Sequence, residues 1–533
     1  MHTRSLLLIY TLIPQHKMSK IEVSPMARDP SEIPEMSFAD FVFDKLTKIH
    51  LPAASTKPWL VDVTTGRQVL FGEIEDQTRK IASALTKFGL RHRDILYYVT
   101  YDTTFVFVAS LAAWRLGIAV RGSYQKEEAD EYERQMREGN ILVAMVDAET
   151  APKIKQAVQR LEWRVKLINL SSEPVTGTTP FEELLKDNGS AFSENVKVNA
   201  REDVLLIPNT SGSTGLPKGA IQTHHAAVAM LYGIYGVQSN APTIGCQLIV
   251  AGNFAGSFFF AIASSLYNCT TIYAIPKFCR ENFFDHILKH KPNALMMYPY
   301  VATWFARAPE LTQHDFSFIK VVGMGGSIVD PTTSRLLSTA LPQTMIIQAY
   351  ALSEVIGGVT MTTFGITNMA DAFKPLKTYS FEGKTYVTTG KPFPYTAIVE
   401  PDTEMTVGRM NSGEILVRAP YVMKGYLVQS DLPDRSDIDS DGWLHTGDLG
   451  FFDDEGYLYV QERKSFVFKY YMFFPGLEAT EDELKSYVEQ RLPEHLHLHG
   501  GVRFLAALPS NRGGKLDRGQ LRDIAAIELE QET

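Results

Sequence analysis

The sequence predicts an α/β protein. Its large N-terminal domain is built of parallel-rich sheets with flanking helices and carries an antiparallel β subdomain, and a small α+β C-terminal cap follows. Three observations predict this. Short apolar runs alternate with amphipathic helical repeats from Phe71 to Tyr350, the texture changes to short runs with turn signals after Gly390, and the segment from Glu462 carries one helix pattern and one strand pattern. The expected division is an N-terminal extension over 1–40, the α/β domain over 41–390, its β subdomain over 391–461 and the cap over 462–533.

Each element has its own signal. Ile74, Thr78, Ile81, Leu85 and Phe88 recur at spacings of three and four before Gly89, which is an amphipathic helix with its stop. ILYYVT from Ile95, a helical stretch over Phe105 to Leu116, IAV at Ile118, a charged helix to Gly139 and ILVAMV from Ile141 continue the βαβα alternation. VLLIP at Val204, ALMMYP at Ala294, IKVVGM at Ile319 and TMIIQAY at Thr344 extend it, and ligands then belong at the carboxyl ends of those strands. AIVE, GEILVRAP and GYLYV, separated by PDT, NSG and DDEG, read as antiparallel strands. In the last segment Glu481 to Leu492 has helical periodicity and Val502 to Leu508 reads as a strand.

Composition narrows the function classes. A chain of 533 residues with 45% hydrophobic and 21% charged residues is an ordinary globular protein, too long for one core. A net charge of −9 argues against binding dominated by nucleic-acid phosphates, and three cysteines, Cys246, Cys269 and Cys279, make no disulfide framework and fit a reducing, cytoplasmic compartment. SLLLIYTLIP after Arg4 lacks a small-residue cleavage site, so residues 1–17 read as an extension upstream of Met18 rather than a secretory leader. Ala226 to Pro276 contains no Asp, Glu, Lys or Arg, but Asn240, Pro242, Gln247 and Asn253 interrupt it; it reads as deep core, with no integral membrane segment, and the alternative is a transmembrane pair. The ending Gln531-Glu532-Thr533 is no peroxisomal signal.

Three segments carry chemistry. Thr210 to Gly219, TSGSTGLPKG, follows a strand; the hydroxyls and backbone N–H groups of Thr210, Ser211, Gly212, Ser213, Thr214 and Gly215 can wrap phosphate oxygens while Lys218 adds charge. The spacing is not that of a Walker loop, and the plain alternative is a Gly/Ser surface turn. QAYALSE offers Tyr350 to stack on a base, then Ser353 and Glu354 for a phosphate oxygen and a metal. DGWLHTGDLG places Asp448 after a Gly-containing turn, where its carboxylate can accept both hydroxyls of a ribose; alone it would be read as a hairpin.

Together these segments resemble the adenylate-forming superfamily of acyl-CoA synthetases, coumarate-CoA ligases, beetle luciferases and peptide-synthetase adenylation domains. TSGSTGLPKG is similar to its phosphate loop, MGGSI at Met324 to its adenine-lining strand end, QAYALSE to its Y-G-x-T-E segment, GWLHTGDLG to its ribose motif, Glu462-Arg463 to its hinge pair and PSNRGGKLDR at Pro509 to its final P-x-x-x-x-G-K-x-x-R. The resemblance implies an ATP-dependent carboxylate-CoA ligase: a carboxylic acid and Mg²⁺-bound ATP give an acyl-adenylate, which coenzyme A converts to a thioester. It also implies roles. Thr214 and Lys218 would hold the β and γ phosphates, Ser353 the α-phosphate, Glu354 the Mg²⁺, Asp448 and Arg463 the ribose, and Gly326, Ser327 and Tyr350 the adenine; Lys515 would bridge the attacking carboxylate and the α-phosphate.

Several positions depart from the pattern. Ala349 and Ala351 replace two glycines around the tyrosine, Ala255 stands where the family has a histidine after an aromatic residue, and Met472 replaces a hinge-loop glycine. KYYMFF, ending at Phe474, runs straight into PGLEATEDELKSYV, so on the order of 50 residues, several elements of ordinary length, are expected to be missing from the cap. The alternative is therefore a catalytically impaired pseudoenzyme or splice product that binds ATP or an acyl ligand without efficient turnover. A carrier-protein-loading domain and a light-emitting oxidase are further readings. His495, His497 and His499 alternate on one strand face but lack a fourth ligand, and they read as a polar strand edge.

Overall fold

The computed structural model describes residues 21–23, 29–51, 53–193, 196–210, 217–235, 244–364, 366, 369–381, 383–393, 397–399, 412–429, 432–463, 480, 482–483 and 486. The chain divides into two compact units, the first running to Arg463 and the second made chiefly of residues 464–533.

The first unit is organised by two mostly parallel sheets. One has the strand order Gln222–Thr223, Val204–Leu206, Ala119–Gly122, Ile95–Val99, Val143–Val146, Lys166–Asn169, Thr179–Pro180, parallel except at its Gln222–Thr223 edge. In the other, Met345–Leu352, Val321–Gly325, Ala294–Met297, Cys246–Val250, Thr271–Ala274 and Pro58–Asp62 run parallel, with antiparallel strands added at both edges. Both sheets are the ones expected of short apolar strands separated by helices, since covering both faces requires side chains apolar on both.

Helix Ile74–Phe88 buries Ile74, Thr78, Ile81 and Leu85, and Gly89 closes it at φ 105°, a left-handed position that a Cβ disfavours. The uncharged stretch from Ala226 resolves into helix His224–Tyr235, strand Cys246–Val250, helix Gly256–Asn268 and strand Thr271–Ala274. No helix among the described residues is long and apolar enough to cross a membrane. Trp114, in helix Phe105–Arg115, packs edge-on against Phe38 and Phe259, and its indole N–H donates to the Leu205 carbonyl at 2.8 Å.

That packing takes in a residue before position 41. Sequence places residues up to 40 in an extension, yet helix Phe38–Lys45 begins at a Ser37 cap and buries Phe38, Ala39 and Val42. Burial of a ring such as Phe38 is worth about 1.5–3 kcal/mol, enough to fasten a short helix. Strand Ile21–Val23 also joins the β subdomain, pairing with Ala397–Val399. The subdomain itself is a five-stranded sheet completed by Gly413–Arg418, Leu444–Phe452 and Leu458–Arg463, all antiparallel. Lys391–Pro392, assigned to it by sequence, instead pairs with Val355–Met361 at the edge of the large sheet.

In the second unit, Thr480 and Glu483 form a reciprocal capping box: Glu483 N–H donates to Thr480 Oγ1 at 3.2 Å, and Thr480 N–H to Glu483 Oε2 at 2.8 Å. This lies at the start of the helix expected over Glu481 to Leu492. The proposed gap at Phe474 and the three alternating histidines lie outside the described residues.

Candidate active site

The carboxyl end of the strand Met345–Leu352 organises the site. The chain turns back at once into the antiparallel strand Val355–Met361, with Leu352 paired to Val355, so Ser353 and Glu354 form the turn between them. Three other segments are bonded to this turn. Ser353 Oγ donates to the Asn209 carbonyl at 3.1 Å, Gln222 Nε2 donates to the Ser353 carbonyl at 3.0 Å, and the Met423 N–H donates to the Glu354 carbonyl at 2.8 Å.

Asn209 immediately precedes the hydroxyl-rich segment. Thr210 and Lys218 face each other across its base: Thr210 N–H donates to the Lys218 carbonyl at 2.7 Å and Lys218 N–H to Thr210 Oγ1 at 3.1 Å. Ser211, Gly212, Ser213, Thr214 and Gly215 lie outside the described residues. A buried arginine braces the entry to this base. Arg121, fully buried in the strand Ala119–Gly122, donates to Asn209 Oδ1 at 3.1 Å and pairs with Glu138 at 3.0 Å. Arg134 braces the exit, donating to the Pro217 carbonyl at 2.7 Å and pairing with Glu131 and Glu138.

Lys218 Nζ sits 4.6 Å above the ring of Tyr426. The Tyr426 hydroxyl lies 3.0 Å from Glu354 Oε1 and 2.9 Å from Asp437 Oδ2. It carries one proton and can donate to only one of them at a time. Burial is the main cause that holds the Glu354 carboxyl above its ordinary value; the bond from Tyr426 acts the other way. Burial, then the neighbouring carboxylates, pushes the Tyr426 phenol up.

The second polar centre is Asp448. Strands Leu444–Phe452 and Leu458–Arg463 pair so that Asp448 and Arg463 are direct cross-strand neighbours, and Arg463 Nε meets Asp448 Oδ1 at 2.8 Å. Tyr350 reaches over from the parallel sheet and its hydroxyl donates to Asp448 Oδ2 at 2.6 Å. Burial, reinforced by the Asp448 charge, raises the Tyr350 phenol well above its ordinary value, so it stays a donor. Gly326 and Ser327 lie exposed just beyond the strand Val321–Gly325, whose Gly325 pairs with Ala349 beside Tyr350.

Tyr350, Ser353 and Glu354 thus stand in one stretch of backbone that joins Asp448 and Arg463 to Thr210 and Lys218. Lys515 lies outside the described residues. Sequence reasoning missed Tyr426, Asp437, Asn209, Arg121 and Arg134. Arg121 alone gave a signal, a charge inside an apolar strand of a parallel sheet, where an unpaired ion is too costly to keep.

A family model described as AMP-binding enzyme matches residues 52–427. The chain belongs to the AMP-binding enzyme family. Within this adenylate-forming superfamily it is similar to CoA ligases. It is 25% identical to 4-coumarate–CoA ligase 3 of Oryza sativa subsp. japonica, over 91% of this chain and 92% of the relative. It is 27% identical to 4-coumarate–CoA ligase 1 of Solanum tuberosum, over 87% and 84%. Among solved structures, the anthranilate CoA ligase AuaEII in complex with anthranoyl-AMP superposes with a TM-score of 0.78 at 18% identity, covering 94% of this chain and 100% of that one. ATP-bound MatB from Rhodopseudomonas palustris superposes with a TM-score of 0.74 at 19% identity, covering 92% and 99%.

Against the AMP-binding pattern, the departures near the site have visible settings. Ala349 is half-buried and Ala351 exposed. Phe254 packs edge-on against Tyr124 with ring centres 5.5 Å apart, and Ala255 caps helix Gly256–Asn268 without a side-chain bond. What fixes this segment is Asn253, whose buried amide donates to the carbonyls of Thr100 and Asp102 at 2.8 and 2.6 Å and accepts from Gln125 at 2.9 Å. Met472 lies outside the described residues.

Proposed function

We propose that the chain is an ATP-dependent carboxylate-CoA ligase. The observation that carries this reading is that Tyr350 and Glu354, from a single strand and turn at the carboxyl end of a parallel sheet, reach Asp448 and, through the Tyr426 hydroxyl and ring, Lys218. ATP lies along that line. Asp448, its charge balanced by Arg463, accepts the ribose hydroxyls; Tyr350, Gly326 and Ser327 flank adenine; Ser353 binds the α-phosphate; and Thr210 to Gly215 with Lys218 bind the β and γ phosphates.

Glu354 suits Mg²⁺, because it is a desolvated carboxyl with a second one, Asp437, across the Tyr426 hydroxyl, and hard oxygen donors combined with substrate phosphates are what this ion takes. When bound, Mg²⁺ neutralises charge developing on the phosphates. The residues do the rest by holding charge where it forms. A carboxylate oxygen of the acid attacks the α-phosphorus, the bond to the bridging oxygen breaks, and pyrophosphate leaves with its electron pair. The role that the resemblance gives to Lys515 is to bridge the attacking oxygen and the α-phosphate. The thiol sulfur of CoA then attacks the acyl carbon, AMP departs, and the thiol proton passes to solvent.

The impaired-turnover alternative rests on the departures in sequence, chiefly the one at Phe474. Incubation with Mg·ATP and carboxylic acids, with nucleotides separated by chromatography, tests the reading. Acyl-adenylate and pyrophosphate, and on addition of CoA acyl-CoA and AMP, are expected; ADP and phosphate would overturn it.

A further inference from the structure

We propose that Tyr426 is a positioning residue that keeps Lys218 and Glu354 apart and aimed at the nucleotide, a role that rests on the reading of both as ATP-site residues. An ammonium and a carboxylate close together in a partly desolvated site attract strongly, and once paired neither is free for phosphate or metal. The phenol stands between them. Its face carries the Lys218 ammonium at 4.6 Å and its hydroxyl lies 3.0 Å from Glu354 Oε1. Among the described residues, no carboxylate lies within ion-pair distance of Lys218.

The ring is held rigidly enough for this. Tyr426 is 4% exposed and exchanges both backbone bonds with Asp434, at 2.7 and 3.0 Å. Its strand, Tyr426–Leu427, pairs antiparallel with Gly219–Ala220, the residues directly after Lys218. Gly425 allows the close approach: it has φ 141°, and a Cβ there would lie 2.7 Å from the Asp434 carbonyl oxygen. The hydroxyl's one proton goes to Glu354 or, in its place, to Asp437 at 2.9 Å. With Asp437 in reach to accept it, the fold does not need Glu354 as its partner, and the bond to Glu354 joins the two groups assigned to phosphate and metal.

The two halves of the residue separate in two substitutions. Tyr426→Phe keeps the ring under Lys218 and frees Glu354. Tyr426→Leu removes both supports and lets Lys218 close on Glu354. Calorimetric titration with ATP, in EDTA and then in excess Mg²⁺, reads the difference on the full chain. Tyr426→Phe is expected to bind metal-free ATP like wild type but to lose about tenfold of the gain that Mg²⁺ confers, the worth of one charge-assisted hydrogen bond. Tyr426→Leu is expected to lose affinity in EDTA as well, approaching Lys218→Ala. In a Glu354→Gln background, Tyr426→Phe should have no further effect on the Mg²⁺ gain. Wild-type affinity of Tyr426→Phe in both conditions, while Lys218→Ala and Asp448→Asn weaken ATP, overturns the role of Tyr426 and leaves the ATP site standing. Wild-type affinity of Lys218→Ala and Asp448→Asn overturns the site reading itself. Should Tyr426→Leu fail to fold, the Phe variant and its Gln-background pair decide the question alone.

Discussion

Replacing Asp448 by Asn changes one atom and tests the nucleotide site at its most constrained point. The carboxylate already accepts from Arg463 at 2.8 Å and from Tyr350 at 2.6 Å, one bond to each oxygen. Two carboxylate oxygens offer about four acceptor directions, so two remain for ribose hydroxyls. The amide of Asn removes one oxygen and the charge, and its NH₂ must then either oppose the Arg463 guanidinium, donor against donor, or turn to the Tyr350 hydroxyl, which has to switch from donor to acceptor. A hydrogen bond to a charged acceptor is worth roughly 1.5–3 kcal/mol, so ATP should bind about 10- to 150-fold more weakly. Titration calorimetry with ATP and with 2′,3′-dideoxy-ATP reads this directly, below the melting temperature of both proteins because Arg463 loses its ion-pair partner. Wild type should discriminate against the dideoxy analogue by a similar factor and the variant should not. If wild type binds both nucleotides equally well, the ribose assignment is wrong.

Three other outcomes follow from named contacts. Arg134→Ala removes the donor to the Pro217 carbonyl and a partner of Glu131 and Glu138; a melting-temperature drop corresponding to roughly 1–3 kcal/mol and weaker ATP binding are expected, and no change in either contradicts the brace. Burial holds His224 near pKa 4, below its ordinary 6.5, so the unfolded chain binds the extra proton between those values and stability is lost as pH falls through that window. The loss is at most roughly 3 kcal/mol, and urea unfolding at pH 7.5 and 5 should show it shrink in His224→Asn; an unchanged pH dependence refutes it. Lys515→Ala should slow acyl-adenylate formation while leaving ATP affinity nearly intact, because the role proposed for that lysine is toward the attacking acid rather than ATP binding; equal rates for variant and wild type would remove it from the reaction.

The fold was legible wherever burial alone decides structure. VLLIP, ALMMYP, IKVVGM and TMIIQAY form strands because nothing else uses such short apolar runs between helices. Periodicity reports which face is buried but not against what, so the division into two sheets and the strand order within each were not readable. Phe38 shows the same limit: its ring packs between Trp114 and Phe259, contacts separated from it by many tens of residues, and the sequence around it resembles a tail. At the site, residue type was readable and geometry was not. Tyr350 was expected to offer a ring to a base, whereas its hydroxyl is also bonded to Asp448. Tyr426 sits in a short run, KGYLVQS, with nothing local to mark it; its importance arises only where three separate segments meet.

The central claim is that this constellation makes acyl-adenylate, and isotope exchange between pyrophosphate and ATP tests it most directly, since it reports the first half-reaction without requiring CoA. The assay takes the full chain with Mg·ATP and a set of acids spanning aromatic, short dicarboxylic and long-chain classes, with Lys218→Ala as the blank. Exchange that depends on at least one acid and falls to background in Lys218→Ala is the predicted result. Tight ATP binding with no acid-dependent exchange across all the classes, or exchange undiminished in Lys218→Ala, would contradict the account.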